Sequence, residues 1–234
     1  MTFHPGRVRG AVFDIGGVFT YPAYEPVAER LTELGLPHPA DVTAYRRAHH
    51  RGVRALVDAA RPTREDIPSF WDVYDQAYAS TLGVPTGHVD EFRIAVRVEW
   101  SWVHEENVMA FHRLAATGLP VAIVSNNNGT APEQMRDYGV CQVGDGPLPS
   151  VAAIVDSTLV GVAKPDPAIF APALAALELD PADVVYVGDT VQADVAGATN
   201  AGMQVVQLDP FDDHADFGHT RMTDLSQLLS TLAG

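Results

Sequence analysis

Five short apolar runs punctuate the chain: Gly10 to Phe13, Leu119 to Val124, Val151 to Val155, Val184 to Val187 and Gln204 to Leu208. Each runs into a polar or glycine-containing turn. Their hydrophobic positions are continuous rather than alternating, as in strands buried on both faces, so the runs predict a sheet covered on each side. Helical patterns lie between them. Asn107 to Thr117 precedes the second run and Thr130 to Tyr138 follows it. Asp166 to Leu177 opens with Asp at an N-cap position and Pro167 at the first helical position, while Pro172 is expected to disturb its middle. Gln192 to Ala201 ends at Gly202, a natural C-cap. Strands alternating with helices predict an α/β fold, a doubly wound parallel sheet.

Between residue 22 and about residue 102 this rhythm stops. The pattern there predicts helices over Pro26 to Leu34, Asp41 to Ala60, Ile67 to Leu82 and His88 to Glu99, divided by Gly35, Pro37, Pro62 and Pro85. An all-helical insert straight after the first strand is expected to form a lid over the carboxyl ends of the sheet, where ligands bind in such folds. The expected division is therefore an α/β core of residues 1–20 and 103–234 and a helical cap of residues 21–102.

A chain of 234 residues with 47% hydrophobic content can bury a sizeable core. Its formal charge of −15, from 15 basic and 30 acidic side chains, argues against nucleic acid and membrane surfaces as partners. The single cysteine, Cys141, cannot form an intrachain disulfide, and no apolar run approaches the roughly 18 residues that span a bilayer. A soluble cytoplasmic protein is expected. Against the acidic total stands a basic island of Arg46, Arg47, Arg51, Arg54, Arg61 and Arg64, opposed only by Asp58 within residues 45–64. Arg47, Arg51 and Arg54 share a helical face, ordinarily a solvated one. The sharper expectation is that Arg51 and Arg54 grip an anionic group of a substrate. Tyr45, Tyr74, Tyr78, Trp71, Trp100 and Trp102 are expected to form the core of the helical segment, and His49 and His50 to face solvent as ordinary helix residues. Every other basic side chain being arginine, Lys164 is the only lysine.

Four polar signals fall at the ends of successive strands. The first run ends in Phe13-Asp14-Ile15-Gly16-Gly17, a carboxylate followed by two glycines where backbone can approach a ligand closely. The second ends in Val124-Ser125-Asn126, which offers a hydroxyl and backbone N–H groups to an anion. Lys164-Pro165-Asp166-Pro167 sets the lone lysine at the mouth of a helix, where its charge is unfavourable and a purely structural role explains it poorly. Gly188-Asp189-Thr190, with Asp194, brings two further carboxylates to the same sheet edge. Singly, each segment is also an ordinary turn.

In this order and spacing the four segments resemble the motifs of the haloacid dehalogenase-like (HAD) hydrolases, over about residues 9–208 and with a helical cap placed as in subfamily I. The resemblance implies that Asp14 attacks phosphorus and becomes an aspartyl-phosphate, that Ser125 and the Asn126 N–H bind phosphoryl oxygens, and that Lys164 neutralises charge between nucleophile and phosphate. It also implies Mg²⁺ held by Asp14, the Gly16 carbonyl and Asp189, with Asp194 ligating or bracing. A Mg²⁺-dependent phosphatase acting on a small phosphorylated metabolite is the function implied. The chain departs from the pattern at Gly16, where HAD phosphatases usually carry a second Asp as general acid, a contribution of roughly 10²- to 10⁴-fold. A substrate with a good leaving group such as an anomeric sugar phosphate, an acid from the lid such as His49 or His50, or loss of turnover in a ligand- or protein-binding homologue would each accommodate the glycine. Haloacid dehalogenases also lack that Asp and need no metal, but they replace the Gly-Asp pair that this chain keeps as Gly188-Asp189. Schiff-base phosphonatase chemistry is excluded because it needs a lysine besides Lys164.

Overall fold

The computed structural model of the chain describes residues 3–59, 68–97 and 100–233. The chain divides into two compact units, Met1–Phe19 with Val103–Gly234, and Thr20–Trp102. The strands among the described residues are β1 (Gly10–Phe13), β2 (Thr20–Tyr21), β3 (Trp102–Val103), β4 (Val121–Ser125), β5 (Gln142–Val143), β6 (Ser150–Val151), β7 (Ile154–Asp156), β8 (Val184–Gly188), β9 (Gln204–Leu208) and β10 (Thr220–Met222). Six of them form one parallel sheet in the order β10-β9-β8-β1-β4-β7. The remaining four make two-stranded pairs, β2 with β3 and β5 with β6.

The sheet is apolar on both sides because its strands alternate between two cores. Ala11, Phe13, Ile123, Val185, Val187 and Val206 join Phe111, Leu225 and Leu228 on one side. Val12, Ala122, Val124, Tyr186 and Val205 join Ile169, Phe170, Ala173 and Met203 on the other. Phe111 stands edge-on to Phe13 and Phe19, with ring centroids 5.3 and 5.2 Å away.

Three local expectations are corrected. The run from Val151 to Val155 is not one strand: the chain bends at Ala152, so that β6 pairs with β5 and only β7 enters the main sheet. Alanines at 152 and 153 supply little of the side-chain packing that holds a strand straight. The sixth strand, β10, escapes an apolar-run criterion because it lies at the edge and is half exposed at Thr220 and Arg221. The segment from Asp166 to Leu177 is a 3₁₀ turn, Pro167–Phe170, followed by an α-helix, Ala171–Leu177. Pro172 falls in the first turn of that helix, where its missing N–H leaves no bond unmade.

Among the described residues of the second unit the α-helices are Tyr24–Glu33, Val42–Asp58, Pro68–Thr81 and Val89–Arg97. Asp41 caps the second, its Oδ1 accepting from the Thr43 N–H at 2.9 Å. Tyr45, Tyr74 and Tyr78 are buried in its core with Val27, Leu31 and Phe92, and Trp71 and Trp102 pack against them half-buried. Arg51 is exposed, whereas Arg54 is half-buried and donates through Nε to Asp58 Oδ1 at 2.8 Å. Arg61 and Arg64, and the expected helix ends Ala60, Ile67 and Glu99, lie outside the described residues. His49 and His50 do not face solvent: they are 2% and 0% exposed, among the rings of Tyr21, Tyr74 and Trp100. Two histidines at successive positions turn inward because His49 reaches the Tyr74 hydroxyl at 2.8 Å and His50 the Tyr21 hydroxyl at 3.3 Å.

Phe111→Ala deletes the ring that joins helix Glu105–Ala115 to β1, and truncations of this kind cost about 3–5 kcal/mol. We expect a corresponding fall in the urea midpoint followed by far-UV circular dichroism; an unchanged midpoint would show that the three rings are not packed as described.

Candidate active site

From β1 the chain proceeds outward to β4 and β7, then returns to the other side of β1 as β8 and continues to β9 and β10. The reversal between β1 and β8 opens a crevice outside their carboxyl ends. Register places the polar segments there. Phe13 lies opposite both Ile123 and Val187, and the Asp14 N–H donates to the Val187 carbonyl at 2.9 Å. Asp14 therefore leaves the end of β1 between Ser125, the last residue of β4, and Asp189, the first residue after β8.

Two glycines make room for these carboxylates. Gly17 has φ +67°, and a Cβ built on it would lie 2.3 Å from Asp189 Cγ. A Cβ on Gly188 would lie 2.4 Å from Asp194 Cγ. Gly16 sits half-buried in the same turn as Gly17, which is held by the Phe19 N–H donating to the Ile15 carbonyl at 2.8 Å. The glycine leaves the turn without an acid at that position.

Lys164 is buried, and its ammonium reaches three oxygens: Asp14 Oδ1 at 2.8 Å, Asp194 Oδ1 at 2.7 Å and the Tyr186 hydroxyl at 2.9 Å. Its backbone is clamped by the Asn126 side chain. Asn126 Oδ1 accepts from the Lys164 N–H at 2.8 Å, and Asn126 Nδ2 donates to the Lys164 carbonyl at 3.1 Å. Asn126 thus joins the exit of β4 to the lysine segment, a side-chain task distinct from the backbone role expected of it.

Asp194 is fully buried and engaged by five donors. Oδ2 accepts from the Asp189 N–H at 3.1 Å, the Thr190 N–H at 2.9 Å and the Thr190 hydroxyl at 2.7 Å. Oδ1 takes Lys164 and, at 2.9 Å, the Tyr186 hydroxyl. A carboxylate offers about four lone-pair sites, so Asp194 is saturated and its geometry suits bracing the Asp189 turn better than ligating a cation. Tyr186 and Thr190 were not singled out from sequence. The available signal was chemical: a phenol inside a fully buried strand must find a polar partner.

The charges explain the ionisation of the cluster. Burial pushes the Asp14 carboxyl up to about 7, with Asp194 and Asp189 adding to the rise and Lys164 opposing it. Burial works against the Lys164 ammonium, but Asp14 and Asp194 outweigh it and hold its pKa above the usual lysine range. Burial likewise opposes ionisation of Asp194, yet Lys164 and Thr190 keep it below the usual carboxylate range. One carboxylate oxygen from each of Asp14, Asp189 and Asp194 lies within 4.8 Å of the others. With Asp194 as a brace, Asp14 and Asp189 are buried oxygen donors of the kind that suits a hard divalent cation. Arg51 and Arg54 belong to the helical unit.

Because Asp14 binds its proton more tightly folded than unfolded, ionising it subtracts stability as pH rises from about 4 to about 7. Asp14→Asn is expected to raise the thermal midpoint of the metal-free protein by a few degrees at pH 8 and to make less difference at pH 5. A lowered midpoint at pH 8 would contradict this balance of charges.

The family model for haloacid dehalogenase-like hydrolases matches residues 8–202. A phosphoserine phosphatase of Thermus thermophilus is 36% identical over 92 residues, covering 39% of this chain and 34% of its own length. A glyceraldehyde 3-phosphate phosphatase of Pyrococcus furiosus is 36% identical over 88 residues, 34% of this chain and 35% of its own. The chain thus spans about a third of the length of these curated relatives. Among solved structures, a HAD-hydrolase from Bacillus subtilis bound to magnesium superposes with a TM-score of 0.60 at 17% identity, covering 97% of this chain and 99% of its own. A HAD phosphatase from Thermococcus onnurineus gives 0.56 at 19%, with coverages of 97% and 99%. At such identities the likeness is one of fold.

Proposed function

Because the chain belongs to the haloacid dehalogenase-like hydrolase family, we propose that it is a Mg²⁺-dependent phosphatase that hydrolyses a small phosphorylated metabolite through Asp14. The observation that carries this reading is the convergence of Asp14, Asp189 and Asp194 on one another within 4.8 Å, with Lys164 as the cation bonded to two of them. Three carboxylates against one ammonium leave a formal charge of −2, which would repel a phosphate dianion unless a divalent cation offset it. Asp14 and Asp189, with the Gly16 carbonyl, are the proposed ligands. When bound, Mg²⁺ supplies positive charge and orientation to the phosphoryl oxygens.

In the proposed reaction an Asp14 oxygen bonds to phosphorus as the bond to the ester oxygen breaks, giving an aspartyl-phosphate and an alkoxide that takes its proton from solvent water. Water then cleaves the acyl phosphate, returning Asp14 and releasing inorganic phosphate. The Lys164 ammonium holds Asp14 by one oxygen and offsets charge on the entering phosphoryl group. The Ser125 hydroxyl and the Asn126 N–H, at the end of β4, donate hydrogen bonds to the phosphoryl oxygens. Gly16 provides no acid, so the leaving oxygen departs with little help, which favours sugar 1-phosphates over primary alkyl phosphates.

EDTA should abolish phosphate release and added Mg²⁺ restore it, while Asp14→Asn should lower kcat by at least ~10³-fold. Halide release from a 2-haloacid in EDTA would replace this reading with dehalogenation, and no turnover on any phosphate ester would replace it with ligand binding alone. Across a panel of phosphate esters, sugar 1-phosphates should show the higher kcat/KM; equal values for both classes would rule out leaving-group ability as the compensation for Gly16.

A further inference from the structure

Gln207 lies in β9, a strand buried along its whole length, and is itself 0% exposed. A primary amide in such a place is costly unless both its ends are bonded. Register sets Gln207 opposite Gly188, and from there its Nε2 donates to the Asp189 carbonyl at 2.7 Å while its Oε1 meets His219 Nε2 at 2.6 Å. The chemistry fixes the direction of both bonds. The Asp189 carbonyl only accepts, so the amide NH₂ must face it; the amide oxygen only accepts, so His219 must donate.

We propose that Gln207 is a positioning residue for Asp189, oriented in turn by His219, and that the pair sets the affinity of the site for Mg²⁺; the inference rests on the metal reading above. Asp189 is anchored on both sides of its Cα. Its N–H is held by Asp194 and its carbonyl by Gln207, so the backbone from which its carboxylate projects is fixed from two neighbouring elements. His219 precedes β10, is half-buried, and has Phe217 5.7 Å away ring to ring. It fixes the amide by occupying the oxygen end. Gln204, at the opposite end of the same strand, provides the internal contrast: it is also buried and bonded at both ends, to the His4 N–H at 2.7 Å and the Ala182 carbonyl at 2.9 Å, but touches no part of the site.

The test is Mg²⁺ binding to the full chain by titration calorimetry. Gln207→Met keeps the volume and removes both bonds, and is expected to weaken Mg²⁺ binding by about 10-fold or more, the range seen when groups that orient metal ligands are lost. His219→Phe should weaken it by a smaller factor, and adding it to Gln207→Met should change nothing further, because it acts through the amide. Gln204→Met should lower the thermal midpoint and leave Mg²⁺ affinity as in the wild type. Wild-type affinity in folded Gln207→Met, additive effects of the two substitutions, or an equal loss in Gln204→Met would overturn the proposal. Should Gln207→Met fail to fold, unaltered affinity in His219→Phe would overturn it. Absence of Mg²⁺ binding by the wild type would overturn the metal reading and this proposal with it, whereas binding that no substitution alters would overturn this one only.

Discussion

Lys164 carries its charge where it is only 3% exposed, and it does so because Asp14 at 2.8 Å and Asp194 at 2.7 Å face it together. Removing water from an ammonium costs several kcal/mol, and the attraction of two facing carboxylates offsets that cost. Much of the surrounding architecture keeps this contact in place. Asn126 grips the lysine backbone from β4, Tyr186 reaches the ammonium from β8, and Thr190 holds Asp194 from the turn beyond. A point charge on a flexible stem fits between two carboxylates where a planar guanidinium would not, which accounts for lysine here in a chain otherwise supplied with arginine.

The sheet does the coarse positioning. Parallel strands end together at one edge, and the reversal of strand order at β1 and β8 sets Asp14 and Asp189 on adjacent strands with no intervening element. The alternation of side chains then separates tasks: Phe13 and Val187 enter one core, Tyr186 the other, and only the residues past the strand ends are left to meet one another. Crowding like charges at that edge is unfavourable for the fold and is tolerated because the two cores supply the stability.

Much of this was legible in the chain. Continuous apolar runs identify β1, β4, β8 and β9 because both faces of these strands are covered, and the structure brings Asp14, Asp189 and Asp194 together with the lone Lys164. What was not legible has physical causes. Strand β10 has no run to read because an edge strand is covered on fewer sides, and Ala152 and Ala153 interrupt β6 and β7 without a proline or glycine to announce a break. His49 and His50 looked like solvated helix residues because burial of a histidine depends on tyrosines distant in sequence. Tyr186, Thr190 and Gln207 act through bonds to residues already noted, and such bonds follow from register rather than from composition.

Gly17 and Gly188 each keep clear a space that a carboxylate enters from a neighbouring segment. This sets an order on how such a site can decay. Asp189 can shrink to a smaller residue while Gly17 stays, but a side chain at position 17 collides with Asp189 for as long as that carboxylate remains, and the same holds for position 188 and Asp194. At both positions, therefore, the acid can be shortened without touching the glycine, whereas the glycine cannot gain a side chain while the acid stays.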